Sequence, residues 1–293
     1  MYRTLEKVLE SDTTVLIEGE SGVGKDALAH WLHHNSSRRH GPFIKIDLSS
    51  LPEELVESEL FGFERGAFTG AVHSKLGKFD LGQAGSVVLD EIANVDMRVQ
   101  AKLLDVVEVK RFFRLGGMHA IDLDCRIIAL SSVPLAKAVE HGTFRQDLFF
   151  RLNLITVRVA PLRERRNEVF KIAQSLLPQL CRRHNISMQL DPSCDTVFRR
   201  YEFPGNVREL RNGLERALLM SAGETITPEY LPSSWMSSRS VSADGKIPSL
   251  EDVERNHILD VLRETRGKKV KAARILGISR KTLLEKRKKY GLP

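Results

Sequence analysis

The sequence predicts an α/β fold with a mainly parallel sheet flanked by helices, then a small all-α subdomain and a C-terminal helical module. Short apolar runs alternate with helical patterns over residues 14–160, strand signals fade after Pro161, and a basic helical stretch ends the chain. Alternating strands and helices are typical of a parallel sheet with helices on both faces. We therefore divide the chain into residues 1–160, 161–231, 232–248 and 249–293.

Five apolar runs predict the strands of the sheet, at residues 14–18, 43–46, 86–89, 126–130 and 154–157. Helical patterns separate several of them, for example at residues 99–107. Beyond Pro161, helices are predicted at residues 168–185 and 207–221. Residues 232–248 are rich in serine and have a proline at each end, which is the composition of a linker.

Composition excludes several classes of protein. The 293 residues contain no apolar run near the roughly 18 residues that cross a bilayer. The first six residues lack the basic-then-apolar pattern of a signal peptide. Cys125, Cys181 and Cys194 are widely spaced and odd in number, so we expect buried or incidental thiols rather than a metal site or a disulfide framework. These features predict a cytoplasmic protein without membrane contact.

The formal charge is concentrated at the C-terminus. Residues 250–293 contain 13 Lys/Arg and 6 Asp/Glu, whereas residues 1–249 contain 32 of each. A neutral body with a basic tail indicates one module for chemistry and another that binds a polyanion such as nucleic acid. A solvated basic helix without a partner would have the same composition, so charge alone leaves both interpretations open.

A phosphate-binding loop is predicted between the first strand and the first helix. Residues 19–26 follow the pattern G-x-x-x-x-G-K, in which backbone N–H groups surround phosphate oxygens and the lysine reaches the β- and γ-phosphates. The next position holds an aspartate where a serine or threonine normally binds Mg²⁺. A glycine-rich turn is the alternative, but the strand–turn–helix context favours the loop. The expected nucleotide-binding residues are Gly19, Glu20, Ser21, Gly22, Val23, Gly24, Lys25 and Asp26.

Two acids at the end of the third predicted strand extend this site. Asp90 would approach the Mg²⁺ shell, directly or through water, and Glu91 would orient or deprotonate the attacking water. Acids at exposed strand ends are common, so the pair gains its meaning from the preceding phosphate loop. Together the two motifs predict an ATPase that uses ATP and Mg²⁺.

The most specific segment is residues 66–71, with the sequence G-A-F-T-G-A. It resembles the GAFTGA loop of the sigma-54-dependent transcriptional activators, a branch of the P-loop AAA+ ATPases. Two glycines around a Phe–Thr pair allow a mobile tip that exposes an aromatic ring for protein recognition; a Phe68 buried in an ordinary turn is the alternative. The resemblance implies contact with sigma-54 RNA polymerase through Gly66, Ala67, Phe68, Thr69, Gly70 and Ala71.

The resemblance covers nearly the whole chain. Arg145 and Arg151 lie in a segment similar to the family's arginine fingers, which would reach the γ-phosphate held by a neighbouring subunit. Surface arginines in salt bridges are the alternative. Arg208 lies in a segment similar to the start of the sensor II helix and would sense nucleotide from the lid of its own subunit. Fingers that act between subunits require a ring, and the resemblance implies a homo-oligomer, a hexamer.

Four positions depart from the family. Asp47 stands where the family usually has an asparagine that couples nucleotide state to the catalytic glutamate, and Ser132 stands where the sensor I segment usually ends in an asparagine. Ser132 is shorter and cannot donate as an amide does. Phe63 replaces a usual histidine, and Asp26 a usual glutamate. We expect ATP binding and hydrolysis to persist, with Asp47 among the catalytic residues and Ser132 at the nucleotide; the rate and the coupling to the loop stay open.

The C-terminal module resembles a Fis-type helix-turn-helix. Its first helix would carry an apolar stripe formed by Val253, Ile258, Leu259 and Leu262. Residues 270–276 predict a short helix in which Ala272 and Ala273 allow close packing. Residues 277–279 predict a turn in which Ser279 caps the next helix. That helix, residues 280–289, would be the recognition helix, with Leu283 facing inward.

The partner that this module implies is double-stranded DNA at upstream sites, bound by dimers within the oligomer. A helical cap that binds no DNA is the alternative. The arginines would reach base edges or phosphates, and several lysines of the recognition helix would touch only the backbone or water. The residues expected to contact DNA are Lys271, Ser279, Arg280, Lys281, Thr282, Lys286 and Arg287.

Three functions follow as hypotheses. The first is an ATP-dependent activator of sigma-54 promoters. The second is a DNA-binding regulator with a degenerate, nucleotide-gated ATPase, which Asp47 and Ser132 favour and the intact Lys25, Asp90 and Glu91 oppose. The third is a remodelling ATPase that acts on another protein, which the intact 66–71 loop opposes. The chain begins almost at the first strand, so control would come in trans or from an N-terminal domain missing from this sequence.

Overall fold

The computed structural model describes residues 9–221, 225–236, 250–265 and 268–291, in two compact units, Met1–Met236 and Ser237–Pro293. The strands of the first unit are β1 Val15–Glu18, β2 Phe43–Asp47, β3 Ser86–Asp90, β4 Arg111–Phe113, β5 Ala120–Asp122, β6 Arg126–Ser131, β7 Ile155–Arg158, β8 Gln189–Leu190 and β9 Thr225–Ile226. Its helices are α1 Lys25–His34, α2 Glu53–Phe61, α3 Lys78–Leu81, α4 Met97–Glu108, α5 Leu135–Glu140, α6 Gln146–Leu152, α7 Val169–His184, α8 Cys194–Arg200, α9 Asn206–Met220 and α10 Ser233–Met236.

One parallel sheet forms the core, in the order β2–β3–β6–β1–β7. Strands β1 and β6 are buried at every position, because apolar clusters cover the sheet on both sides. The predicted parallel α/β fold is confirmed, and all five predicted strands appear. Since the strands run in the same direction, their carboxyl ends meet at one edge: Glu18 pairs in register with Ser131, and Asp47 with Asp90.

Helices α7 to α10 form a subdomain around a second apolar cluster that includes Phe198, Phe203 and Trp235. Trp235 is only 3% exposed and lies against Gly213, where an added Cβ would be 2.1 Å from the indole. The segment predicted as a linker from residue 232 therefore begins with an ordered helix, α10. The serine-rich composition did not predict this helix, because Trp235 is its only buried residue. Residues 237–249 lie outside the described residues.

The second unit contains α11 Leu250–Glu264, α12 Lys269–Ile275 and α13 Arg280–Tyr290. Its core is formed by Ile258, Val261, Leu262, Ala272, Ala273 and Leu283. The inward position of Leu283 and the close packing of the two alanines are confirmed. Val261, which the predicted stripe omitted, is also buried, and the side chain of Val253 lies outside the described residues.

Two expectations from composition concern membranes and cysteines. Within the described ranges, no helix combines the length and apolar character required to cross a bilayer. The cysteines are free thiols, with Cys125 and Cys194 buried and Cys181 half-buried, as expected.

Candidate functional site

The phosphate loop joins β1 to α1 in the predicted context. Gly22 and Gly24 adopt positive φ angles of 76° and 103°, a backbone conformation that glycine tolerates best, and Gly24 leads directly into α1. Lys25 is 7% exposed, and its ammonium donates to the carbonyl of Gly19 at 2.7 Å. Burial lowers the pKa of Lys25, while neighbouring Glu91 and Asp90 oppose that shift. The loop and lysine thus have the arrangement that phosphate binding requires.

The helical subdomain holds this loop from the other side. Two hydrogen bonds, at 2.7 and 2.5 Å, join the Arg163 guanidinium to the Glu20 carboxylate, and they hold the pKa of Glu20 at about 2. Fully buried Asn206 donates to Glu20 and to the carbonyl of Ser21, and accepts from the Leu162 N–H. We call these contacts the loop clamp, and those that Arg163 and Asn206 make with Glu20 and Ser21 join residues more than 140 positions apart. No local pattern in the sequence indicated Arg163 or Asn206 as part of the site.

Arg208, the predicted sensor II residue, also lies at the loop. Its guanidinium donates to the Ser21 hydroxyl at 2.9 Å, and its backbone N–H and that of Val207 donate to the Gly22 carbonyl. Gly22 has no room for a side chain here, because an added Cβ would be 2.6 Å from the carbonyl of Gly205. The first turn of α9 therefore rests directly on the phosphate loop.

A lysine that sequence reasoning missed lies among the acids of the site. Lys45, on β2, places its ammonium 2.5 Å from Asp26 and 2.8 Å from Asp90. Burial raises the pKa of Asp90, and the hydrogen bond with Lys45 opposes this rise. Asp90, the expected Mg²⁺ ligand, and Asp26 of the phosphate loop are thus joined through one cation.

Glu91 follows β3 with a left-handed backbone, φ 55°, which is uncommon for a residue with a side chain. Its carboxylate accepts from the Ser132 hydroxyl at 2.5 Å and from the Ser132 N–H at 3.1 Å, and it lies 3.7 Å from the Lys25 ammonium. Ser132 therefore reaches Glu91 with two donors, its hydroxyl and its backbone N–H.

Asp47 does not contact Glu91. Its carboxylate accepts from the hydroxyl and the N–H of Ser49, at 2.7 and 3.0 Å, and these bonds lower its pKa. An ionised carboxylate only accepts hydrogen bonds, so Asp47 has no donor to offer Glu91. The two departures therefore have different contacts: Ser132 donates to the Glu91 carboxylate, whereas Asp47 accepts from Ser49 in its own turn.

These side chains surround a cleft of about 440 Å³ between core and lid. Backbone N–H groups and a buried lysine occupy one wall, carboxylates another, and α7 and α9 a third. This combination suits a nucleoside triphosphate: a donor-rich wall for phosphates, oxygen ligands for a hard cation, and an apolar surface from the lid. The lining residues are Ser21, Gly22, Gly24, Lys25, Asp26, Ala27, Asp90, Glu91, Leu176, Gln179, Val207, Arg208 and Arg211.

The 66–71 loop is built by local contacts. Gly66 and Gly70 have φ angles of 83° and 104°, and the Gly66 N–H donates to the Ala71 carbonyl at 2.9 Å. Phe68 is 46% exposed and meets Phe63 edge-on at 5.0 Å, and Thr69 is exposed. The alternative of a buried Phe68 is therefore wrong. Phe63, which stands where the resemblance leads one to expect a histidine, packs its ring against that of Phe68.

The base of this loop is tied to the core through Arg114. Its guanidinium donates to Glu64 at 2.9 Å and to Asp80 at 2.8 Å, between β4 and β5 on one side and α3 on the other. These two carboxylates raise the pKa of Arg114. Gly116 approaches Ala67 so closely that an added Cβ would lie 2.8 Å from the alanine side chain. The tip is thus exposed while its base is anchored.

Arg145 and Arg151 lie at α6, away from the lining of their own cleft. Arg145 forms an ion pair with Asp147, with the closest contact at 2.7 Å, and Arg151 pairs with Glu108 of α4. Both guanidinium groups are partly exposed, at 36% and 52%. Salt bridges and fingers are compatible here, because exposed pairs of this kind are weak and a phosphate can replace the acid.

The C-terminal unit places most predicted DNA contacts on its exterior. Lys271, Arg280 and Lys281 are exposed. Ser279 caps α13 by accepting from the Thr282 N–H at 3.0 Å, as predicted.

Two other predicted contacts, Arg287 and Lys286, are half-buried. Lys286 pairs with Glu254 of α11, which also accepts from Tyr290. Lys286 therefore fastens α13 to α11 through this ion pair.

Comparison with known protein families matches three successive parts of the chain. Residues 1–158 match the sigma-54 interaction domain, residues 163–247 match an AAA+ ATPase lid domain, and residues 249–290 match the bacterial regulatory proteins of the Fis family.

Individual relatives show the same similarity. The regulatory protein AtoC of Escherichia coli K12 is 39% identical over 98% of this chain and 64% of its own length. The nitrogen fixation protein VnfA of Azotobacter vinelandii is 38% identical over 100% of this chain and 57% of its own. The DNA-binding transcriptional regulator NtrC of Salmonella typhimurium is 37% identical, with coverages of 100% and 68%. The chain thus spans less than two thirds of AtoC and of VnfA.

Solved structures of NtrX from Brucella abortus are also similar. The ADP complex has a TM-score of 0.72 at 28% identity, covering 99% of this chain and 67% of NtrX. The ATP complex has a TM-score of 0.70 at 29% identity, with the same coverages.

Proposed function

We propose that this chain, which belongs to the sigma-54 interaction family with AAA+ lid and Fis-type modules, is an ATP-dependent transcriptional activator that remodels sigma-54 RNA polymerase. The observation that carries the proposal is the exposed Phe68–Thr69 tip, anchored to a unit with a complete phosphate loop and two acids. Such a tip presents an aromatic ring to a protein partner, and ATP turnover would move it.

Nucleotide binding is assigned to the cleft. Lys25 and the loop N–H groups would hold the β- and γ-phosphates, and Arg208 would report their presence through its contact with Ser21. Mg²⁺, when bound, neutralises phosphate charge; Asp90 offers the oxygen ligand it prefers, with phosphates and waters as the remaining ligands. NtrX, the structural relative, binds ADP and ATP, which supports ATP as the nucleotide.

Hydrolysis is assigned to Glu91 with Ser132. The two hydrogen bonds from Ser132 fix one carboxylate oxygen, so the other oxygen is oriented to accept a proton from water. Arg145 and Arg151 would exchange their partners Asp147 and Glu108 for the γ-phosphate of an adjacent subunit. This exchange requires a homo-oligomeric ring, and we propose a hexamer with paired DNA-binding modules.

The C-terminal unit would tether the ring to double-stranded DNA. Its exposed Lys271, Arg280 and Lys281 present positive charge around a capped helix, the arrangement of a helix-turn-helix recognition surface. A transcriptional activator of this kind acts where the chromosome is, so we propose a cytoplasmic location.

A second candidate keeps one supporting observation. Asp47 faces Ser49 and offers no donor to Glu91, as expected for a regulator whose ATPase has degenerated into a nucleotide-gated switch. The hydrogen bonds of Ser132 to Glu91 favour the first proposal. A remodeller of some other protein would share the ATPase and differ only in the partner of the loop.

The test is ATP-dependent open-complex formation on a sigma-54 promoter, with wild type compared with Thr69→Ala. We expect wild type to melt the promoter, and the variant to hydrolyse ATP without melting it. Leu219→Ala, which truncates an exposed apolar side chain in the lid, is the matched control and should melt the promoter. Normal hydrolysis without any melting by wild type would favour another protein partner, and loss of hydrolysis as well would favour the degenerate switch.

A further inference from the structure

The metal side of the cleft already contains a positive charge that belongs to the chain. Lys45 Nζ lies 2.5 Å from Asp26 Oδ1 and 2.8 Å from Asp90 Oδ2, and its side chain is about two thirds buried. These two contacts hold the Lys45 ammonium between two carboxylates.

The position of Lys45 follows from the sheet. Asp47 pairs in register with Asp90, and Lys45 lies two residues earlier on the same strand, so both side chains point to the same face. Lys45 reaches forward along this face to the strand end, where Asp90 meets the first turn of α1. Any residue at this place with a shorter or neutral side chain would leave the two carboxylates without this cation.

The charge balance shows what the ammonium does. Asp26, Asp90 and Glu91 line the cleft together with Lys25, and Lys45 contacts the first two of these acids from β2. Asp26 stands where the phosphate-loop pattern normally has a neutral hydroxyl, and it adds a negative charge that Lys45 offsets. The Asp90 carboxylate already accepts a hydrogen bond from the Lys45 ammonium. A divalent cation that binds Asp90 would therefore be repelled by this ammonium at close range.

We propose that Lys45 is a tethered cation that competes with Mg²⁺ for Asp90, so that the chain binds nucleotide with little dependence on Mg²⁺ and binds Mg²⁺ itself more weakly than the site otherwise would. When Asp90 holds Mg²⁺, the Lys45 ammonium would leave Asp90 and would stay nearby through its pair with Asp26. Lys45 is thus a specificity-determining residue of the metal site, and this role rests on the proposed ATP binding.

The experiment measures binding rather than turnover. A fluorescent ATP analogue is titrated into wild type and Lys45→Met, first in EDTA and then with increasing Mg²⁺. We expect Lys45→Met to bind the analogue about tenfold more weakly in EDTA, and to need about tenfold less Mg²⁺ for half-maximal enhancement, because an attraction for phosphate and a repulsion of Mg²⁺ are both removed. Lys45→Arg should behave as wild type, because it keeps the charge.

Two controls separate this role from others. Lys102→Met removes an exposed lysine whose partner is Glu57, and it should leave both quantities unchanged. Thermal unfolding without nucleotide checks that Lys45→Met is folded, and a misfolded variant is replaced by Lys45→Gln, which keeps more of the polar contact.

The outcomes are distinct. If a folded Lys45→Met needed the same or a higher Mg²⁺ concentration for half-maximal enhancement, the inference would be overturned. The lysine would then have no effect on Mg²⁺ binding or would favour it. Failure of wild type to bind the analogue with or without Mg²⁺ would instead overturn the proposed ATPase function.

Discussion

The nucleotide cleft and the 66–71 loop belong to the same unit, yet they are built in opposite ways. The cleft depends on contacts between residues that are far apart in sequence, such as Glu20 with Arg163 and Glu91 with Ser132, and its central lysine is buried. The tip of the loop is closed by the hydrogen bond between Gly66 and Ala71 and leaves Phe68 in contact with solvent, although its base is anchored by Arg114. Chemistry requires a preorganised site, whereas recognition of a partner requires an accessible tip.

The strongest test of this contrast is Glu91→Gln. Loss of the carboxylate should reduce ATP hydrolysis about 10²–10⁴-fold while ATP binding persists, because a glutamine accepts no proton from water. Steady-state turnover together with equilibrium binding of ATP measures both effects. A variant with turnover within threefold of wild type would show that Glu91 is not the residue acting on water.

The complementary substitution is Phe68→Ala. We expect hydrolysis to change less than about threefold and ATP-dependent promoter melting to be lost, since the exposed ring contributes to binding of the partner and does not line the nucleotide cleft. Permanganate footprinting of the promoter reports melting. Val72→Ala, an exposed apolar residue just beyond the loop, is the control and should still melt DNA. If Phe68→Ala lost hydrolysis as fully as it lost promoter melting, the loop and the nucleotide cleft would not have separate roles.

An intermediate effect is expected for Ser132→Ala. A hydrogen bond to a charged group is worth about 1.5–3 kcal/mol, so kcat should fall roughly tenfold to a hundredfold, with KM for ATP nearly unchanged. Ser132→Thr should recover most of the rate because it keeps the hydroxyl. Asp47→Asn introduces an amide donor on β2. The double variant Ser132→Ala, Asp47→Asn tests whether this amide can replace Ser132 as a donor to Glu91. Equal rates for Ser132→Ala and wild type would remove Ser132 from the mechanism.

A smaller effect is expected on the recognition helix, which resembles the loop in being exposed. Arg280→Ala should weaken DNA binding and reduce the slope of log K against log salt by about 0.9 if the guanidinium contacts one phosphate. Lys286→Ala should leave this slope unchanged, because its ammonium pairs with Glu254. Fluorescence anisotropy on a DNA duplex over a range of salt concentrations measures the slope. A change for Lys286→Ala that equals that for Arg280→Ala would place both on the DNA face.

The smallest expected effect concerns the loop clamp and pH. The pKa of Glu20 is lowered from 4.5 to about 2 by Arg163, so the clamp contributes its full stability above about pH 4.5 and loses it as the pH falls toward 2. Both side chains are more than a third exposed, which limits the contribution to about 0.2–1 kcal/mol. NMR titration of Glu20 should show its pKa rising toward 4.5 in Arg163→Gln. Arg199→Gln, which loses a pair with Asp195 elsewhere in the lid, should leave it unchanged.

Local sequence patterns were sufficient to predict many of the elements and those site residues that occur in continuous motifs. The five strands, α7, α9 and the cap of α13 follow from local periodicity and side-chain chemistry, and residues 19–26, 66–71, Asp90 and Glu91 follow from short patterns. Each of these depends on neighbours within a few positions, so one chain without relatives is enough to identify them.

The three-dimensional arrangement was needed to identify the distant residues that complete the sites. Arg163 and Asn206 reach the phosphate loop, Lys45 reaches Asp90, and Ser132 reaches Glu91, only because parallel strands end at one edge and the lid folds back on the loop. Trp235 became part of the lid core, and Lys286 part of a helix contact, for the same reason. A long-range contact depends on the geometry of the whole unit, and no spacing within the sequence encodes it.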